Sequence, residues 1–129
     1  MAQQAFVKKI WRESTAINLK TTGVTVVIPA QSGKFIPRTF FFHSITKTGA
    51  GTGAALTIGA NSATWDNLYQ SLAGFFDPKT QNEYLELLYN ATSKPIPIDL
   101  TSGLKVNVTT ASTHTTDTGI FYFEGIIIP

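Results

Sequence analysis

The sequence predicts an all-β protein, an antiparallel β-sandwich of about seven or eight short strands in one domain. Residues 104–109, LKVNVT, alternate apolar and polar side chains with the period of two that is typical of a half-buried strand. Turn residues separate such runs, and no helices alternate with them, which disfavours a parallel α/β sheet. Charged residues make up 14% of the 129 residues, against about 25% in typical soluble domains, whereas threonine occurs 19 times.

The first half of the chain predicts four strands. Residues 15–20 alternate apolar and polar side chains, and residues 24–28 are rich in β-branched valine and isoleucine. Residues 39–46 contain three consecutive phenylalanines, and residues 54–58 form a further short apolar run. Glycine, serine and proline separate the four runs, as expected for turns between antiparallel strands.

One helix is predicted, over residues 63–75. Its apolar side chains recur at the i, i+3, i+4 and i+7 spacing of one helix face. These are Trp65, Leu68, Tyr69 and Leu72. Asn61 or Ser62 would cap the start of the helix, and Gly74 would end it.

The second half returns to strands. Residues 84–89 fit either a helix or a strand, and the two prolines in residues 95–98 predict an edge or irregular strand. Residues 104–109 and 119–129 complete the set. The run at 119–129, like the one at 39–46, is apolar on both faces, which indicates burial on both sides. The N-terminal arm, a long loop or a neighbouring subunit would have to cover the second face.

Residues 1–14 are predicted to form an extended N-terminal arm, with residues 15–129 as the sandwich domain. Lys8, Lys9 and Arg12, offset by Glu13, give the arm the whole net charge of +2. Such a local excess is weak support for nucleic-acid binding, which we do not expect. The arm also carries Phe6, Val7, Ile10 and Trp11. These apolar side chains would form an aggregation-prone apolar patch if exposed, so the arm is expected to pack against the sandwich domain or against another chain. No secretory signal or membrane span is expected.

No pattern in the chain specifies a reaction. The two histidines, His43 and His114, lack neighbours at metal-ligand or triad spacing. The glycine-rich residues 49–54 precede a strand-like run rather than a phosphate-binding helix. Residues 77–83 lack the regular spacing of a calcium loop. We therefore expect no catalytic residues, no cofactor, no metal and no enzymatic activity.

Two other features leave alternatives open. Glu124 shares a strand face with Ile120, Tyr122, Ile126 and Ile128, so its carboxylate needs a partner. That partner is either a base such as Arg38 or a neighbouring subunit. A set of aromatic residues predicts either core packing or a platform for sugars: Trp11, Trp65, Tyr69, Phe75, Phe76 and Tyr89.

Three segments carry a family resemblance: VIPAQSGKFIP, then TIGAN, and a final FYFEGIII strand after a threonine-rich loop. Across residues 15–128 the chain resembles the small jelly-roll virion proteins of tailed bacteriophages, which serve as head decoration (cement) proteins or adhesion modules. The resemblance implies a jelly-roll-like sandwich and a location in the virion, at the capsid surface. It further implies a homotrimer that binds the major capsid protein or other virion proteins.

The leading functional prediction is therefore a capsid decoration or cement protein that stabilises the shell by binding. The predicted anchoring residues lie in the arm: Phe6, Lys8, Lys9, Ile10, Trp11 and Arg12. The predicted subunit contacts are Phe41, Phe121 and Glu124. The alternative is a tail or baseplate module that binds a receptor or carbohydrate, for which a glycan would be the partner. An enzyme of the cupin type is disfavoured, because two isolated histidines do not supply a histidine-rich metal site.

Overall fold

A computed structural model describes residues 8–61, 63–71, 84–86 and 97–129, and this part of the chain is all-β. The strands are β1 (Lys8–Glu13), β2 (Ile17–Asn18), β3 (Gly23–Ile28), β4 (Lys34–Thr48), β5 (Ala55–Gly59), β6 (Tyr69–Gln70), β7 (Tyr84–Glu86), β8 (Ile98–Asp99), β9 (Leu104–Thr110) and β10 (Thr116–Ile128). No helix long and apolar enough to cross a membrane occurs in these residues.

The strands form two antiparallel sheets that pack as a sandwich. The large sheet has the order β1-β10-β4-β7, with β2 also paired to β10 and β8 also paired to β4. The small sheet has the order β3-β9-β5-β6. The predicted antiparallel sandwich is confirmed, whereas its jelly-roll connectivity stays a prediction. The two runs that are apolar on both faces became β4 and β10, the long neighbouring strands at the centre of the large sheet.

The core lies between the two sheets and is dominated by phenylalanine. The rings of Phe42 and Phe121 face each other across β4 and β10 with centroids 4.7 Å apart, and Phe40 stacks on Phe123 at 5.9 Å. The small sheet contributes fully buried aliphatic side chains to the same cluster: Ile28, Leu56, Ile58, Leu104 and Val106. Burying each large side chain contributes about 1.5–3 kcal/mol. The inward faces of β4 and β10 thus supply much of the stability of the fold.

The first strand is continuous with the sandwich. Lys8–Glu13 pairs in register with β10, and the N–H of Ser14 donates to the carbonyl oxygen of Phe121 at 2.8 Å. Residues 8–13 of the predicted arm therefore extend the large sheet and do not cover its face. Residues 1–7, and Phe6 with them, lie outside the described residues.

The helix predicted over residues 63–75 is wrong for the part that the structure describes. Ala63 and Trp65 have φ values of 80° and 51°, which no α-helix contains, and Tyr69–Gln70 pairs with β5. The side chain of Asn61 causes the difference, because its Oδ1 accepts the backbone N–H groups of Asp66 and Asn67 at 2.8 and 3.1 Å. Asn61 thus closes a loop where a helix cap was predicted. Ser62 and residues 72–75 lie outside the described residues.

Replacing Asn61 by alanine should destabilise the protein by about 1–2 kcal/mol, because two backbone N–H groups lose their acceptor. The cost should depend on pH. The hydrogen bond from Asn61 is the main cause that holds the pKa of Asp66 below its ordinary value of 3.8, with Thr64 and the Asp66 backbone adding to it. A lowered pKa contributes stability above 3.8 that is lost as the pH falls through the folded value.

Urea unfolding at neutral pH, and again at a pH well below 3.8, checks this prediction. The difference in the free energy of unfolding between wild type and Asn61→Ala should shrink at the acidic pH. An equal difference at both pH values would show that Asp66 does not depend on Asn61.

Candidate functional site

Five aromatic rings form a continuous row on the outer face of the large sheet, and we call it the aromatic row. It consists of Trp11 on β1, Tyr122 on β10, Phe41 and His43 on β4, and Tyr84 on β7. Trp11 lies 5.7 Å from Tyr122, and Tyr122 stacks on Phe41 at 4.9 Å between centroids. Phe41 lies 5.8 Å from Tyr84, which stacks on His43 at 4.3 Å. The row therefore crosses all four strands of the main sheet path.

Strand alternation explains why these rings point outward. Phe40 and Phe42 are buried in the core, so Phe41 between them points to the opposite face. In the same way Tyr122 lies between the buried Phe121 and Phe123. The pairing register places Tyr122 directly opposite Phe41, which brings the two rings into contact.

The surface around the aromatic row is apolar and partly open. Trp11 is 50% exposed and Tyr84 is 64% exposed, while the other three rings are half-buried. Half-buried isoleucines flank the row on β4 and β10: Ile36, Ile120, Ile126 and Ile128. A contiguous apolar surface of this kind is typical of a site that binds another macromolecule.

The Tyr122 phenol places a hydroxyl group near the centre of the aromatic row. Partial burial raises the pKa of the Tyr122 phenol, and the nearby Glu13 and Tyr84 raise it further. Tyr122 therefore remains a neutral hydroxyl that can donate a hydrogen bond. Together with the Tyr84 hydroxyl it gives the apolar surface the few polar groups that fix the orientation of a partner.

Glu124 lies half-buried on the same face, opposite Trp11 on β1 and Thr39 on β4. Within the described ranges no ion pair joins Glu124 to Arg38. The salt-bridge interpretation of Glu124 is thus not supported, and a contact with a neighbouring subunit stays a prediction.

The structure divides the predicted site residues between surface and core. Trp11 and Phe41 belong to the aromatic row, and Lys8, Lys9 and Arg12 lie on the edge strand β1 beside it. Ile10 and Phe121 are buried in the core, where they pack against other apolar side chains. Three members of the aromatic row were not predicted as contact residues: Tyr122, Tyr84 and His43. Alternation along each strand places Tyr122 on one face with Glu124, but the partner strands of Tyr84 and His43 follow only from the pairing.

The described aromatics of the predicted sugar platform do not lie together. Trp11 is on the large sheet, Trp65 lies beside the small sheet with the Lys105 ammonium 4.0 Å from its ring centroid, and Tyr69 packs edge-on against Phe40. Phe75, Phe76 and Tyr89 lie outside the described residues. The platform as a set therefore has no support from the described part of the chain.

Each histidine has a packing or hydrogen-bonding role. His43 stacks on Tyr84, and Nδ1 of the buried His114 lies 2.9 Å from the carbonyl oxygen of Gly49. Among residues 8–61, 63–71, 84–86 and 97–129, no group of three histidine or acidic side chains lies close enough to hold a metal ion.

Comparison with known proteins finds the fold in a solved virus structure. No family model matches the chain, and no curated protein matches it. A chain of the structure described as "Cyanophage Pam1 capsid asymmetric unit" is similar to it with a TM-score of 0.61 and 11% sequence identity. The match covers 100% of this chain and 93% of that one, so the two chains share one fold over nearly their full lengths.

Proposed function

We propose that this chain is a structural virion protein, a decoration or cement protein that binds the outside of a phage capsid. The observation that carries the proposal is an open aromatic row on a fold shared with a component of a capsid asymmetric unit. The resemblance of VIPAQSGKFIP, TIGAN and FYFEGIII to segments of small phage virion proteins supports the same class of protein.

The aromatic row is the proposed contact surface. Aromatic side chains bury a large area with little loss of conformational freedom, and they are enriched among the residues that dominate binding energy. Phe41 and Tyr122 would form the centre of the contact, with Trp11 at one end and Glu124 beside it. Lys9 lies on the same face of β1 as Trp11 and would favour acidic groups at the rim of the partner.

The mechanism in this proposal is binding and not catalysis. Burial of the row between the protein and the shell would link neighbouring capsid subunits and resist their separation. The homotrimer implied by the resemblance stays a prediction, and sedimentation of the purified protein tests it.

Co-sedimentation of the purified full chain with particles that lack it tests the proposed function. We expect saturable binding at a fixed number of copies per particle and greater resistance of the particles to heat. Binding to glycans on an array, together with no binding to particles, would instead favour the receptor-binding alternative and contradict this proposal.

A further inference from the structure

The edge of β1 that faces away from β10 has no partner among the described strands. In an antiparallel pair, residues whose backbone groups bond across the pair alternate with residues whose groups point away. Ser14 bonds to Phe121 across the pair, so Ile10 and Arg12 also direct their N–H and C=O groups toward β10. The backbone groups of Lys9, Trp11 and Glu13 therefore point to the open side. In agreement, the carbonyl oxygen of Trp11 accepts a hydrogen bond from its neighbour's side chain, Arg12 Nη1, at 3.0 Å.

The side chains of the same three residues are exposed and form an ordered series. From the start to the end of β1 these side chains are positively charged, aromatic and negatively charged: Lys9, Trp11 and Glu13. A second copy of this strand, running in the opposite direction, presents negative, aromatic and positive. The series is therefore complementary to itself about Trp11.

We propose that β1 pairs antiparallel with β1 of a second copy of this chain, about a twofold axis at Trp11. In this register Trp11 lies opposite Trp11, and each Lys9 lies opposite the Glu13 of the other copy. Two opposite-charge pairs and one aromatic pair then lie side by side, the pairings that stabilise antiparallel strands. The large sheets of the two copies become one sheet, and the two aromatic rows meet at Trp11.

Other registers are less favourable. A shift by one residue would set Lys9 opposite Arg12, and it would place backbone groups already bonded to β10 at the new contact. A shift by two residues sets Trp11 opposite Lys9 or Glu13 and loses both charge pairs. Charged side chains on an edge strand normally prevent it from pairing with the strands of other molecules. In the proposed register each of these charges lies opposite a charge of the other sign.

This contact does not depend on the proposed function. It is an association between copies of the chain in solution, with or without particles. If the predicted trimer also forms, the twofold contact joins trimers in pairs; if it does not, the product is a dimer.

Sedimentation velocity of the full chain over a range of concentrations tests the proposal. The variants are Lys9→Glu, Glu13→Lys and the double variant K9E/E13K, with Lys8→Glu as the control. Each single variant places two like-charge pairs across the axis and should weaken association about tenfold. The double variant restores both pairs and should return association to within about threefold of wild type. Lys8→Glu changes the charge as much as Lys9→Glu but lies opposite Ser14, so we expect little effect.

The two single variants separate this contact from a general effect of charge. Lys9→Glu lowers the net positive charge and Glu13→Lys raises it, so a general effect would move their association in opposite directions. The proposal requires both to weaken it. Three results would each overturn the proposal. The first is a wild-type protein that forms no dimer or other even-numbered oligomer, and the second is a pair of single variants that shift association in opposite directions. The third such result is a double variant whose association stays as weak as that of the single variants.

Discussion

Replacing Phe41 by serine should weaken binding to the capsid by about 30-fold or more, the effect of losing a central aromatic contact residue worth about 2 kcal/mol. Phe41 contacts Trp11, Tyr122 and Tyr84, so its loss divides the aromatic row in two. Because the ring is half-buried and points away from the core, the free energy of unfolding should fall by only about 1 kcal/mol. The binding loss would therefore exceed what reduced stability explains.

Val26→Ser is the matched control for this variant. Val26 is 51% exposed on β3 of the small sheet, away from the aromatic row. The control should bind capsids like wild type. Binding is measured by co-sedimentation and stability by urea unfolding of the same preparations. Equal losses of binding for Phe41→Ser and Val26→Ser would show that the row is not the contact surface.

Replacing Gly125 by alanine should cost about 3 kcal/mol or more of stability, because the new methyl group has no space. A Cβ at this position would lie 2.3 Å from the carbonyl oxygen of Ile36 and 2.7 Å from a ring carbon of Phe35. The first of these atoms belongs to the backbone of β4, so the central strand pair would have to separate. The register shift between Glu124 and Gly125 marks the same place in the sheet.

Glu124→Ala is the control for Gly125→Ala. It changes the adjacent residue of the same strand, on the outer face, and should alter stability by no more than about 0.5 kcal/mol. Thermal unfolding followed by circular dichroism measures both. A Gly125→Ala protein as stable as wild type would mean that β4 and β10 do not approach as closely as the structure shows.

The strands of the sandwich were predictable because their signal is local. The alternating run at residues 104–109 coincides with β9 within one residue, and the β-branched run at residues 24–28 coincides with β3 within one residue. The helix prediction was wrong because the same apolar spacing is also compatible with a loop. Hydrogen bonds to the Asn61 side chain stabilise the loop. Propensity does not include such a contact.

The candidate site was only partly predictable. Two runs that are apolar on both faces indicated a surface that needs a partner, and two of the predicted contact residues, Phe41 and Trp11, lie in the aromatic row. Three consecutive phenylalanines do not reveal which of them points inward. That depends on the pairing of Phe42 with Phe121 across two strands far apart in the chain. The same long-range pairing brought Tyr84 and Tyr122 to the aromatic row, and no local pattern encodes it.

Hydroxyl-radical footprinting of the protein, free in solution and bound to particles, tests the proposed capsid contact most directly. We expect Trp11, Tyr84 and Tyr122 to react in the free protein and to become protected on the particle. Trp65, beside the small sheet, should react equally in both states. Protection of Trp65 with an unchanged reactivity of Trp11, Tyr84 and Tyr122 would contradict the assignment of the aromatic row as the capsid contact.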